Sequence, residues 1–231
     1  MSYLWQEFNI KTFEAETLVF RDGVFCEDLS EYQSAEFNQE QNKISINKNS
    51  KLPVHIIYVG EIAGNIDFNI DINVENSRVF MSFKVSNTKP AFLNIFVKNA
   101  GKNSVFDGKV IIKNHNDLKI NVFGQHLSEN TGIFIKSRVA AYKNSVNELI
   151  GVAKIEKNIN GCDSDISFNV MADKDSKIIM KPIQYINSIP KSAAHSASLY
   201  KPHKNQIYYL QTSGLSKTEI KQVLEQAFLE E

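Results

Sequence analysis

The chain has 231 residues, with 26 Lys plus Arg against 26 Asp plus Glu, so its formal net charge is zero. That balance argues against a nucleic-acid binder, which normally needs a basic face, and no stretch approaches the ~20 apolar residues of a membrane helix. Two cysteines, Cys26 and Cys162, lie far apart without CxxC spacing; this argues against a disulfide framework or a zinc site built on them alone and reads as two reduced thiols. The stretch Met1 to Thr17 mixes polar and aromatic residues, carries Glu7, Glu14 and Glu16, and lacks the basic start and apolar run of a signal peptide. A cytoplasmic protein is the expectation. Residues 1–39 read as an entry segment, in which Leu18 to Phe25 has strand character and Cys26 follows it.

Residues 40–190 read as the β core. Ile66, Phe68, Ile70, Ile72 and Val74 alternate with Asn65, Asp67, Asn69, Asp71 and Asn73, the period of two expected of a strand with one buried face. Val79, Met81, Phe83 and Val85 repeat it, and the pattern returns around Leu93, Val110, Leu118, Ile133, Val152 and Ile166. The breaks, such as Asn99-Ala100-Gly101-Lys102-Asn103 and Ser128-Glu129-Asn130-Thr131-Gly132, are turns, because Asn and Gly tolerate the left-handed backbone region. Strands recur about every 10 to 13 residues, a spacing that suits a sandwich, a barrel or a solenoid. The glycine-led strands at Gly108, Gly132 and Gly151 suggest a repeat of about 20 residues with two strands per coil, which favours a solenoid.

Residues 191–231 read as a C-terminal helical segment. Asn205 to Ser213 is a short helix with Ile207 and Leu210 inward, and Gly214 stands where a left-handed residue ends it. Ser216 and Glu219 have capping-box spacing. Ile220, Val223, Leu224, Ala227 and Phe228 then form one apolar stripe at helical period. The pair has a helix-turn-helix shape, but the second helix carries Lys217 and Lys221 against four glutamates, which opposes DNA binding and favours a docking surface or packing on the chain's own sheet.

These residues resemble a known family. His195-Ser-Ala-Ser, a connector, Gln206-Ile-Tyr-Tyr-Leu, Gly214-Leu-Ser and a closing Ala227-Phe228-Leu229-Glu230 are similar to the C-terminus of the SufB/SufD iron–sulfur assembly family, and Leu18 to Phe25 to its entry into the β-domain. Ala194 and Ser196 around the motif histidine are closer to the SufD-like branch. Departures are Gln211-Thr212-Ser213 at the hinge, Ile166 to Val170 in place of a leucine run, and Ile183-Gln184-Tyr185-Ile186 in place of an acidic motif. The expectation is a short, diverged member without the helical N-terminal domain typical of the family. The resemblance implies a mostly β protein, a right-handed parallel β-helix with a C-terminal helical hairpin. It also implies a non-catalytic scaffold subunit that pairs with a SufB-like subunit, or with itself when alone, and docks a SufC-like ATPase. No tightly bound cofactor is implied, only a transient iron–sulfur cluster shared with the partner subunit.

His195 is the candidate iron or cluster ligand, since a neutral imidazole binds iron and small neighbours allow close approach. An alternative role is to order a turn through hydrogen bonds. Tyr209, Leu210, Gly214, Leu215, Ile220, Leu224 and Phe228 are the candidate partner-binding residues. His203 reads as an exposed connector residue, while His55, His115 and His126 have no partner pattern. Two rivals remain: a stand-alone structural β-solenoid without a metal role, and a carbohydrate-active β-helix enzyme, against which the scattered acids argue.

Overall fold

The computed structural model describes residues 15–48, 52–142 and 144–230. The chain runs β1 (Glu16–Arg21), β2 (Val24–Phe25), β3 (Ala35–Asn38), β4 (Lys43–Ile46), β5 (Val54–Glu61), β6 (Gly64–Ile72), β7 (Arg78–Asn87), β8 (Ala91–Asn99), β9 (Val105–Asn114) and β10 (Leu118–His126). It continues through β11 (Gly132–Ala141), β12 (Val146–Ile155), β13 (Asp163–Ala172), β14 (Lys177–Ile186), β15 (Ser192–Tyr200), α1 (Lys204–Thr212) and α2 (Lys217–Glu230). From β4 onward successive strands alternate between two sheets. One is ordered β15-β13-β11-β9-β7-β5-β1-β2 and the other β14-β12-β10-β8-β6-β4-β3. Every pairing along these ladders is parallel except the two at the start, β1 with β2 and β3 with β4. The result is a parallel β-solenoid of about six turns.

The alternation read from the sequence becomes two inward faces. Phe68, Ile70 and Ile72 of β6 stack on Ile95, Val97 and Asn99 of β8, and all six are buried. Each such apolar side chain contributes ~1.5–3 kcal/mol by leaving water. Packing density sets a limit of its own. A Cβ added to Gly151 would stand 2.6 Å from Ile166 and 2.9 Å from Phe168, so glycine is what lets those two side chains fill the centre of the coil.

The coil is longer than the repeat of about 20 residues suggested by the glycine-led strands. Val105, Gly132 and Asp163 stand side by side, so successive coils take 27 and 31 residues. Gly108 and Gly132 lie in one sheet but out of register, and Gly151 lies in the other. The true repeat is carried by the turns. Asn76, Asn103 and Asn130 each adopt the left-handed conformation, and Gly161 takes that place one coil later. Their side chains form a ladder, Asn130 donating to Asn103 and Asn103 to Asn76, each at 3.2 Å. The next residue in each turn, Ser77, Ser104, Thr131 and Cys162, points inward and is buried.

The two ends of the solenoid differ. At the start, β2 and β3 fold back antiparallel, and Phe20 packs among Phe25, Phe37 and Phe68 with ring centroids 5.1 to 5.3 Å away. At the other end, β14 and β15 are the outermost strands, with no further coil on them among the described residues. The coils span Glu16 to Tyr200, so β1 falls within the stretch read as an entry segment and β15 within that read as the C-terminal segment. The first 14 residues of that entry segment lie outside the described residues.

Candidate functional site

His195 lies near the middle of β15, in register with Ile166 of β13, which is itself in register with the buried Ile135. It therefore has the parity of a core residue. It is nevertheless exposed, as are Ala197 and Leu199 beside it, because the next coil that would cover them does not follow. Ala193 and Ala197 flank it on the same face, while Ala194 and Ser196 point to the other. The amide of Gln184 on β14 donates to the Ala194 carbonyl at 2.7 Å and ties the two terminal strands together. The outcome is an unfinished core layer with an accessible imidazole in it. Among the described residues no three His, Cys, Asp or Glu side chains gather as a metal site.

The helical segment departs from the sequence reading in how it sits. Gly214 adopts φ 88°, and the Gly214 and Leu215 amides donate to the Gln211 and Leu210 carbonyls, closing α1 with a left-handed residue. Ser216 and Glu219 form the expected capping box, with bonds of 2.8 and 3.4 Å. His203, read as a connector residue, caps α1: its Nδ1 accepts from the Asn205 amide at 3.3 Å, while the Gln206 side chain accepts from the His203 amide at 2.8 Å.

On α2 the inward face is rotated from the expected stripe. Ile220 and Phe228 are buried as expected, but Val223 and Ala227 are exposed, and Glu225 and Leu229 are buried instead. The sheet beneath explains the rotation. Phe228 and Leu229 pack on Ala140, Ile111, Met171 and Tyr200, the Phe228 and Tyr200 rings being 5.2 Å apart. Glu225 pairs with Lys113 at 3.2 Å and bonds Tyr142, while Lys221 reaches Asp173 at 3.0 Å. Arg138 donates to the Phe228 carbonyl at 2.6 Å and lies over its ring.

Of the candidate partner residues, Ile220 and Phe228 are thus committed to the chain's own sheet. Leu210, Leu215 and Leu224 are half-buried, and Tyr209 and Gly214 are exposed. Helix α1 buries none of its residues, and Tyr208 and Tyr209 are each 69% exposed.

His126 is the residue that sequence reasoning passed over. It is fully buried in register with Asn99 and Ile155. Thr131 Oγ1 donates to the Ser128 carbonyl at 2.9 Å and lies 2.8 Å from His126 Nδ1. Burial holds the His126 pKa down at about 4, so the imidazole is neutral at pH 7. Cys162, also buried, touches the same Thr131 oxygen at 3.4 Å. Cys26 is half-buried with its thiol facing the Val24 carbonyl, and both cysteines are free. Only the parity of His126 in the strand after Leu118 could have signalled its burial.

Among the described residues no helix is long and apolar enough to cross a membrane. No curated protein matches the chain. The family model described as "SUF system FeS cluster assembly, SufBD core domain" matches residues 25–228. That range takes in all but the first coil strand of the solenoid, the terminal layer holding His195, and most of the helical segment. The chain belongs to the SufBD core domain family of the SUF system of FeS cluster assembly.

Proposed function

We propose that this chain is a SufD-like, non-catalytic scaffold subunit of a cytoplasmic SUF-type assembly complex. It pairs through its open terminal coil with a SufB-like subunit, or with a second copy when alone. It docks a SufC-like ATPase through the α1–Gly214–α2 element. The nascent cluster is the cargo of this assembly, and His195 offers one ligand to it, with the rest coming from the partner.

The observation that carries this reading is the division of labour in the helices. Helix α2 is anchored to the sheet by Phe228, Leu229 and three charged contacts, whereas α1 extends from it with every side chain at least partly exposed. A helix with two exposed tyrosines held on a fixed support is suited to a protein partner. The unfinished layer at β15 supports the pairing, since an unpaired strand edge is a ready template for another chain.

Deleting residues 205–231 should abolish binding of the purified SufC-type ATPase in calorimetry and leave the β signature in circular dichroism intact. Gly214→Val, which forces a branched residue to φ 88°, should weaken binding more than it lowers the core's melting temperature. Unchanged affinity after the deletion defeats the docking assignment. For the pairing, light scattering should show a dimer or a complex with SufB. A strict monomer at high concentration that also ignores SufB refutes it.

A further inference from the structure

A cleft of about 900 Å³ runs between α2 and the outer face of β5, β7 and β9. Val59 and Ile111 form its floor, Gln222, Gln226 and Leu229 of α2 form one wall, and Lys84, Lys109 and Lys113 reach into it. The register concentrates positive charge here. Lys109 of β9 stands directly opposite Lys136 of β11, and in the next row Lys84, Ile111 and Arg138 are aligned across β7, β9 and β11.

Like charges directly opposite on neighbouring strands are destabilising. The nearby acids offset them in part. Glu225 is taken by Lys113, Asp107 faces Lys136, and Glu230 at the end of α2 faces Lys109. Among the described residues neither Lys109 nor Lys136 holds an ion pair or a hydrogen bond. Burial, then Arg138 and Lys136, push the Lys109 ammonium below its ordinary value, against the pull of Glu230.

We propose that this cleft binds a small molecule bearing a diphosphate, with the phosphates at its Lys109 end, where Lys136 stands just outside the cleft on the neighbouring strand, and the organic part on Val59, Ile111 and Leu229. The strands of Lys109 and Lys136 are ~4.8 Å apart, so the two flexible side chains can each reach one phosphoryl group. The wall amides of Gln222 and Gln226 supply neutral hydrogen bonds to the organic part.

The test is calorimetry on the full chain at low salt, with inorganic pyrophosphate, ADP and adenosine as probes. Both diphosphates should bind and adenosine should not. ADP binding more tightly than pyrophosphate supports an organic ligand on the apolar floor, whereas equal affinities support recognition of the free diphosphate. The double variant Lys109→Gln/Lys136→Gln should lose at least tenfold in affinity. Its melting temperature should stay level or rise, since a repulsion is removed. A merely structural pair would lower it. Glu230→Gln, which removes the competing acid, should tighten binding. The assignment is overturned if neither the wild type nor Glu230→Gln binds a diphosphate, if adenosine binds as well as ADP, or if the double variant binds like the wild type.

Discussion

Lowering the pH should destabilise this solenoid through His126. Its pKa is held down to about 4, chiefly by burial, against an ordinary 6.5. The folded state therefore binds the proton less well than the unfolded chain, so stability is full above pH 6.5 and is lost as pH falls towards 4. Between pH 7 and 4.5 linkage gives a loss of about 2 kcal/mol from this group alone. With a urea m-value of about 2 kcal/mol/M, the unfolding midpoint falls by about 1 M. The physical source is specific. Protonation places a charge on a ring of zero exposure whose Nε2 has no acceptor among the described residues. His126→Leu removes the titrating group without stranding a donor, because Thr131 already gives its proton to Ser128. Urea titrations at pH 7, 5.5 and 4.5 on both proteins should show a steeper decline in the wild type, by about the amount above. Parallel declines in the two would refute the buried neutral imidazole.

Phe68, buried among Phe20, Tyr58 and Phe83, should be intolerant of charge: Phe68→Asp is expected to be insoluble, and Phe68→Ala to lose ~3–5 kcal/mol in chemical denaturation. Gly151→Val should cost ~1–3 kcal/mol or more by overpacking against Ile166 and Phe168, read as a lower denaturation midpoint at an unchanged m-value. Arg138→Ala removes the charged hydrogen bond to Phe228 and should speed amide exchange across 217–230 while strands β5 to β10 keep their protection; unchanged exchange in α2 would mean that its apolar contacts suffice.

The strands were legible because one physical rule, burial of alternate residues, acts on each of them separately. Phe68, Ile70 and Ile72 declare their face without reference to any other part of the chain. The coil length was not legible in the same way. Both sheets share the period of two, so a strand of one cannot be told from a strand of the other by its pattern, and Gly108, Gly132 and Gly151 looked equivalent although they meet different neighbours. The Asn76, Asn103 and Asn130 column held the true period, at a position where the left-handed backbone rather than hydrophobicity sets the residue. At the C-terminus the capping box and Gly214 were legible because they are local. The rotation of α2 towards Glu225 and Leu229 was not, since it depends on Lys113, Ile111 and Arg138, which lie about 90 to 120 residues earlier in the chain. For His195, the small neighbours were visible in sequence, whereas its place in an uncovered core layer emerged only from the register with Ile166.

The difference between the two ends makes the solenoid a ruler. The aromatic cap fixes one end, His195 marks the other, and the parallel strands β1, β5, β7, β9, β11, β13 and β15 between them are graduations ~4.8 Å apart, about 29 Å in all. Excising or duplicating the coil between Asn76 and Asn103, which carries none of the sheet residues that hold α2, changes that distance by one graduation and leaves both end surfaces as they were. A subunit of this kind can thus be refitted to a partner of different size without redesigning either contact. A deletion of half a coil has no such freedom, because it would exchange the strands of the two sheets and turn the face that carries α2 to the opposite side.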